Sequence, residues 1–278
     1  MRPIALKRIS KPGLIIFTGF ILVAVFSGLL SPYDPDARYE PYESPSEKHF
    51  LGTNDIGNDI FSELLHSSRV SLTVGLLTAL IASGIGLFIG LVSGYFRGAI
   101  DEILMTVTDV VLMIPRIPLV IILAVFLRPS YWIIIIVLSL VWWTTTARVV
   151  RAKTLQIREM GFIDSAVTMG FSHRHIIFTD ILPNVIFVLI PKFMLTVASA
   201  MISEASLSFL GLGDPTKKSW GMMIRYAFER GGFIQDMWWW YMAPGAAITL
   251  CVVSIVLIGF SLENTEPRIS AFSAGRYE

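Results

Sequence analysis

Six long, apolar stretches that carry almost no charge limit what this 278-residue chain can fold into more than any other feature. They cover about residues 14–30, 70–94, 103–127, 131–146, 185–203 and 242–262. A bilayer core of about 30 Å needs roughly 20 helical residues to cross it, so each stretch is predicted to be a transmembrane helix. Because the third stretch contains Pro115 and Pro118, it is expected to cross with a bend. The predicted fold class is therefore an all-α integral membrane protein with six transmembrane helices.

The composition argues against several other classes of protein. Hydrophobic residues make up 54% of the chain and charged residues only 15%, whereas a soluble domain has about a quarter of its residues charged. A net charge of +1, with no concentrated basic face, argues against nucleic-acid binding. The only cysteine, Cys251, can form neither an intrachain disulfide nor a cysteine-based metal cluster.

The first apolar stretch follows a basic amino terminus, so two interpretations arise: a cleaved signal peptide or an uncleaved signal anchor. Its apolar run is longer than that of a typical signal peptide, and no small-residue cleavage site precedes the acidic segment after Ser31. An uncleaved anchor is therefore expected.

Basic residues flank the stretches unevenly, which indicates the orientation because positively charged short loops stay on the cytoplasmic side. Four precede the first stretch and five lie within residues 147–184, whereas residues 31–69 carry three basic and eight acidic residues. Both termini are therefore predicted to be cytoplasmic, and the acidic loop is predicted to be a solvated outer face. Three regions result: an anchor helix with an outer loop (1–69), a five-helix core (70–268) and a cytoplasmic tail (269–278).

The cytoplasmic segment 147–184 is too long to be a mere connection between two membrane helices. It contains two short helical patterns that meet at Gly170, a residue suited to ending a helix, and Ser172 is a plausible N-cap for the second. On the first helix Phe162, Ala166 and Met169 form an apolar stripe that fits a partner's groove. The alternative is an interfacial linker whose apolar side chains dip into the lipid headgroups.

Three groups of residues carry a family resemblance over nearly the whole chain. They are Asp164-Ser165-Ala166 followed by Gly170 and Ile181-Leu182-Pro183-Asn184; the run from Leu51 to Asp59; and the run from Glu204 to Gly213 with Ser219-Trp220-Gly221. The first resembles the Glu-Ala-Ala loop of ATP-binding-cassette importer permeases, with Asp164 and Ser165 replacing the usual Glu and first Ala. Together they resemble the second-permease type of the dipeptide, oligopeptide and nickel transporter family.

The resemblance implies a type I importer permease in the cell membrane of a prokaryote, forming half of a pore for di- or oligopeptides. The implied partners are a homologous permease, two cytoplasmic ATPases and an extracytoplasmic binding protein. The chain has no G-x-x-x-x-G-K-[ST] motif, so it is predicted not to be an enzyme and to bind no cofactor, with ATP and magnesium held by the ATPases. The coupling residues implied are Phe162, Asp164, Ser165, Ala166, Met169 and Gly170. Nickel complexes or oligosaccharides are alternative cargoes; a secondary transporter or a membrane scaffold is the alternative from another class.

Four ionisable residues within or near the apolar stretches are candidates for the translocation path, because such groups are costly in lipid: Asp109, Arg116, Lys192 and Glu204. For each a structural role is the alternative, as an ion pair, a snorkelling side chain or a cap. Small-residue spacing predicts that the second stretch packs closely through Gly84, Gly86, Gly90 and Gly94. A metal site is not expected at the four histidines, because His173 and His175 point to different faces of a helix and His49 and His66 lack a set of carboxylate companions.

Overall fold

The computed structural model describes residues 10–127 and 130–263, and nine helices cover most of that part of the chain. Their bounds are α1 Lys11–Leu30, α2 Ile60–Phe96, α3 Gly98–Met113, α4 Arg116–Phe126, α5 Tyr131–Arg158, α6 Gly161–Thr168, α7 His173–Leu212, α8 Trp220–Glu229 and α9 Trp238–Glu263. Helix α7 includes π-helical turns at Ile176–Ile181 and Ser208–Leu212. The predicted all-α fold is confirmed. The predicted tail, 269–278, and the basic residues before Ser10 lie outside the described residues.

The membrane spans agree with the predicted number if one of them is a broken helix. Five helices in the described ranges, α1, α2, α5, α7 and α9, are each long and apolar enough to cross a bilayer. Helices α3 and α4 qualify only as a pair, and they meet at an angle of 84°. Between them Ile114 adopts extended backbone, because Pro115 disfavours a helical conformation in the residue before it. The expected bend is confirmed, and it is a complete break of the helix.

Helices α2, α5 and α7 extend well beyond the predicted spans. Helix α2 begins at Ile60 because the Asp59 carboxylate caps it, accepting a hydrogen bond of 2.8 Å from the Ser62 N–H. Helix α5 continues to Arg158 because its polar half still packs, burying Val150, Thr154 and Ile157. Only residues 159–172 therefore lie between α5 and α7, in the middle of the predicted cytoplasmic segment 147–184. The remainder of that segment extends the two helices.

The centre of the fold is the packing of α2 against α5, and glycines permit it. A Cβ atom at Gly86, Gly90 or Gly94 would lie 2.8, 2.6 or 2.9 Å from a backbone carbonyl oxygen of α5. At Gly84 the same atom would meet nothing within 4 Å. The predicted close packing is confirmed at three of the four glycines, and Gly84 lies off the contact face.

The acidic loop before α2 is a compact structure, and part of its charge is buried. The N–H of Thr53 donates to the Glu43 carbonyl at 3.0 Å, and the N–H of Tyr39 donates to the Gly57 carbonyl at 2.8 Å. The carboxylates of Asp59 and Glu63 are both buried, where Asp59 caps α2 and Glu63 pairs with Lys218. The prediction of a solvated acidic face is therefore wrong for these two residues, because helix α2 begins earlier than its apolar pattern and takes them into the core.

Candidate functional site

Helix α6 lies at the end of the bundle where α5 finishes, and we call this the inner end. The opposite end, which holds the acidic loop, is the outer end. Gly170 has a φ of +79° and turns the chain after α6, with its N–H donating to the Val167 carbonyl at 3.0 Å. The Ser172 hydroxyl then accepts from the His175 N–H at 3.3 Å and caps α7. The two short helical patterns predicted to meet at Gly170 are thus present.

The two faces of α6 have different surroundings. Ile163 is 2% exposed and Ala166 is 7% exposed, and both pack in a buried cluster with Leu91, Tyr95, Val150, Ile157, Ile176, Ile181 and Val185. Four apolar side chains on α6 and the turn after it are exposed, and we call them the coupling surface: Phe162, Val167, Met169 and Phe171. The predicted stripe is corrected at Ala166, which faces this chain's own core at i+3 from Ile163. Val167 and Phe171 were missed because a helical repeat counted from Phe162 does not include them.

The remaining predicted coupling residues lie at the surface of the same helix. Asp164 and Ser165 are exposed, and the Ser165 hydroxyl donates to the Gly161 carbonyl at 2.9 Å. Met169 is 71% exposed and directly precedes the turn at Gly170. All six predicted residues therefore belong to one short helix and its C-terminal turn, and five of them are exposed.

A pocket of about 330 Å³ lies beside α6 at the inner end. In it the Tyr95 hydroxyl lies 2.8 Å from His173 Nδ1, and the Arg158 guanidinium lies 5.5 Å from the centre of the Tyr95 ring. His175 points elsewhere and stacks on Phe171 at 4.8 Å. In the ranges that the structure describes, no group of three or more His, Cys, Asp or Glu side chains is suited to hold a metal ion.

A second concave surface lies where α4, α5 and α7 meet, and we call it the Arg116 cleft. Its volume is about 530 Å³, and it is lined by Pro115, Arg116, Ile117, Pro118, Trp142, Ser199, Ile202 and Ser203. The break before α4 brings Arg116 to this position, with its guanidinium 4.8 Å from the centre of the Trp142 ring.

The four predicted path residues occupy different environments. Arg116 lines the cleft, and Lys192 is partly buried on α7 within electrostatic range of Arg116. Asp109 forms an ion pair with Arg148 at 2.6 Å. Glu204 is 2% exposed, and its carboxylate accepts a hydrogen bond of 2.6 Å from the Ser208 hydroxyl, so it belongs to the packing of α7. The structure thus places Arg116 and Lys192 within electrostatic range of each other, whereas Asp109 and Glu204 interact with other residues.

Known proteins that this chain resembles in sequence are membrane components of transport systems. The family described as "Binding-protein-dependent transport system inner membrane component" matches residues 86–270. A putative peptide permease protein of Brucella suis is 33% identical over 94% of this chain and 88% of that protein. The dipeptide transport system permease protein DppC of Alkalihalophilus pseudofirmus is 35% identical over 95% and 88%. DppC of Bacillus subtilis is 32% identical over 95% and 83%.

Solved structures share the fold at low sequence identity. Inward-facing structures of the MetNI methionine ABC transporter include a chain with a TM-score of 0.57 and 19% identity, covering 73% of this chain and 94% of that one. An amino acid ABC transporter chain gives a TM-score of 0.52 at 18% identity, over 74% and 94%. A secondary transporter and a membrane scaffold are thereby set aside. The chain belongs to the family of binding-protein-dependent transport system inner membrane components and is a multi-pass, inner-membrane permease subunit of an ATP-binding-cassette importer.

Proposed function

We propose that this permease forms half of a translocation pore for di- or oligopeptides, together with a second, homologous permease. An extracytoplasmic binding protein delivers the peptide, and two cytoplasmic ATPases bind ATP and magnesium and drive transport by alternating access. Relatives named as peptide or dipeptide permeases, at 32–35% identity over most of the chain, support peptides as the cargo.

The observation that carries the energy-coupling part of this proposal is that α6 is partly buried and partly exposed. Ile163 and Ala166 fix α6 against the core, while the coupling surface on α6 and the turn after it stays exposed in the described part of this chain. Exposed apolar side chains that are rigidly held at the end of a helical bundle are typical of a surface that fills a groove on a partner. A partner that grips the coupling surface would move α6 as a rigid body.

The assembly is tested by expressing this chain with the products of its neighbouring genes and isolating the complex in detergent. A second permease and two ATPases with phosphate-binding loops are expected to co-purify. A double variant, Phe162→Ala with Met169→Ser, should reduce recovery of the ATPases at least tenfold and leave the second permease bound. The matched control is Ile234→Ser, since Ile234 is 91% exposed in the outer loop between α8 and α9. Equal recovery of the ATPases with the double variant and the control would contradict coupling through this surface.

The cargo is tested separately, by uptake into vesicles that contain the assembled complex. Labelled dipeptides and oligopeptides, a nickel complex and an oligosaccharide are supplied with the binding protein and ATP. Peptide uptake that requires ATP is expected. Uptake of only the nickel complex or only the oligosaccharide would replace peptides as the cargo and would leave the importer assembly intact.

A further inference from the structure

The Arg116 cleft holds positive charge that the described part of this chain does not neutralise. Two other arginines on the neighbouring helix α5 are paired: Arg151 with Asp101 and Arg148 with Asp109, each at 2.6 Å. Arg116 stacks on Trp142 instead, and no carboxylate among the described residues forms an ion pair with it. A charged side chain in a membrane-spanning segment normally finds an opposite charge or faces water, so an unpaired arginine indicates a site for an anion.

A second cation adds to the same charge. Lys192, Ser199 and Ser203 are spaced by seven and eleven residues along α7, which places them on one face of that helix. Ser199 and Ser203 line the cleft, and Lys192 lies within electrostatic range of Arg116. The carboxylate on the same helix, Glu204, points into the core toward Ser208. Lys192 does not itself line the cleft, but its charge repels that of Arg116, and an anion bound beside Arg116 would relieve this repulsion.

The geometry points to this cleft as a contact for the C-terminal carboxylate of a peptide during its passage. The planar guanidinium of Arg116 matches a carboxylate with two parallel N–H donors, and the stacked Trp142 ring limits the directions in which it can point. Ile117 and Ile202 supply apolar walls that accept varied side chains. Recognition of the shared terminal charge, with tolerant walls, fits a pore that accepts many peptide sequences. This inference rests on the proposed function, because it takes a peptide as the cargo.

The test compares uptake of two labelled peptides of the same sequence, one with a free C-terminal carboxylate and one with a C-terminal amide. Vesicles contain the whole complex, and each peptide saturates the binding protein. The variants are Arg116→Gln, which removes the charge, and Arg116→Lys, which keeps it. The control is Lys217→Gln, because Lys217 is an exposed lysine in the outer loop after α7. Variants are compared after complex assembly and ATPase stimulation by the binding protein have been shown to match those of the unmodified complex.

The unmodified complex is expected to transport the carboxylate peptide at least tenfold faster than the amide. Arg116→Gln should bring that ratio close to one without slowing the amide, Arg116→Lys should restore part of it, and Lys217→Gln should leave it unchanged. An equal loss for both peptides, or dissociation of the second permease, would assign Arg116 to an ion pair with a partner chain and overturn the inference. A complex that transports no peptide at all would instead refute the proposed function, and the inference with it.

Discussion

Lys218 Nζ lies 2.7 Å from Glu63 Oε1, so the loop after α7 is fastened to the first turn of α2 by an ion pair between residues far apart in sequence. The Glu63 side chain is 3% exposed, and Asn54 donates to its second oxygen at 3.2 Å. Removing only the lysine charge would leave the buried Glu63 carboxylate without a counter-charge. We therefore expect Lys218→Met to lower the free energy of unfolding by about 3 kcal/mol, measured as thermal unfolding in detergent.

The double variant Glu63→Gln with Lys218→Met separates loss of the pair from loss of packing. A neutral glutamine can still accept from Asn54, so most of the lost stability should return. A double variant as unstable as Lys218→Met would show that the lysine stem, and not the charge pair, carries the contribution.

The packing of α2 on α5 predicts opposite outcomes for two glycines six residues apart. Gly90→Ala would place a Cβ atom 2.6 Å from the Ala147 carbonyl oxygen, so the helices must separate, at a cost of about 1–3 kcal/mol. Gly84→Ala meets nothing within 4 Å and should cause no loss. Thermal unfolding of the two variants in the same detergent checks the difference, and equal stabilities would contradict close helix contact at Gly90.

The turn after α6 predicts a loss of coupling at Gly170. Its φ of +79° is unfavourable for a residue with a side chain, so Gly170→Val should strain this turn by about 1–2 kcal/mol. Because the turn sets the position of α6, and with it the coupling surface, relative to α7, we expect about tenfold less peptide uptake per ATP hydrolysed, with the chain still inserted in the membrane. Gly161→Val is the control, since Gly161 also has open space around it but starts α6 without a positive φ. Unchanged coupled transport in Gly170→Val would count against this role for the turn.

The Asp214 carboxylate, at the outer end of the bundle, predicts that the stability of the fold depends on pH. Burial raises the pKa of the Asp214 carboxyl, but hydrogen bonds from Thr216 and the Tyr131 N–H, together with the Lys217 charge, outweigh it, so the pKa lies below its ordinary value. Such a group stabilises the fold above its ordinary pKa of about 4 and loses that contribution as the pH falls through the lower folded value. Asp214→Asn should therefore cost about 1–2 kcal/mol at pH 7.

The measurement is thermal unfolding of the unmodified chain and of Asp214→Asn between neutral and acidic pH. The unmodified chain should lose more stability below about pH 4 than the variant, so that the two curves converge. The control is Asp36→Asn, because Asp36 is exposed in the acidic loop. Parallel curves for the unmodified chain and Asp214→Asn would show that this carboxyl does not contribute.

Local chemistry could be predicted from the sequence where neighbouring residues alone determine it. Gly170 as a helix end, Ser172 as an N-cap and the break near Pro115 each depend on backbone preferences within a few positions. The glycine spacing in α2 likewise predicted a contact, since small residues one turn apart permit close approach wherever the partner helix lies.

Relationships set by tertiary packing could not be predicted. Ala166 and Met169 both suit an apolar stripe, and only the position of the Ile176 and Ile181 side chains shows that Ala166 is covered by its own chain. The pairing of Lys218 with Glu63 depends on where the loop after α7 folds back, and the ends of α2 and α5 depend on packing that continues past the apolar pattern. For the same reason Arg116 and Lys192 could be suspected separately, but their proximity could not.

Helix α5 runs without interruption from Tyr131 to Arg158. One continuous helix therefore joins the Arg116 cleft to α6, so a tilt of α5 moves both places at the same time. Trp142, which holds the Arg116 guanidinium, and Ile157, which packs against α6, stand about 22 Å apart on that one helix. A tilt of about 10° around its inner end would carry the Trp142 ring sideways by roughly 4 Å, a geometric estimate from the helical rise. The indole therefore changes position whenever a displacement of α6 tilts α5. A nucleotide-driven movement of α6 that tilts α5 would thus shift the Trp142 ring beside the Arg116 guanidinium in the same step, without a relay of separate side chains.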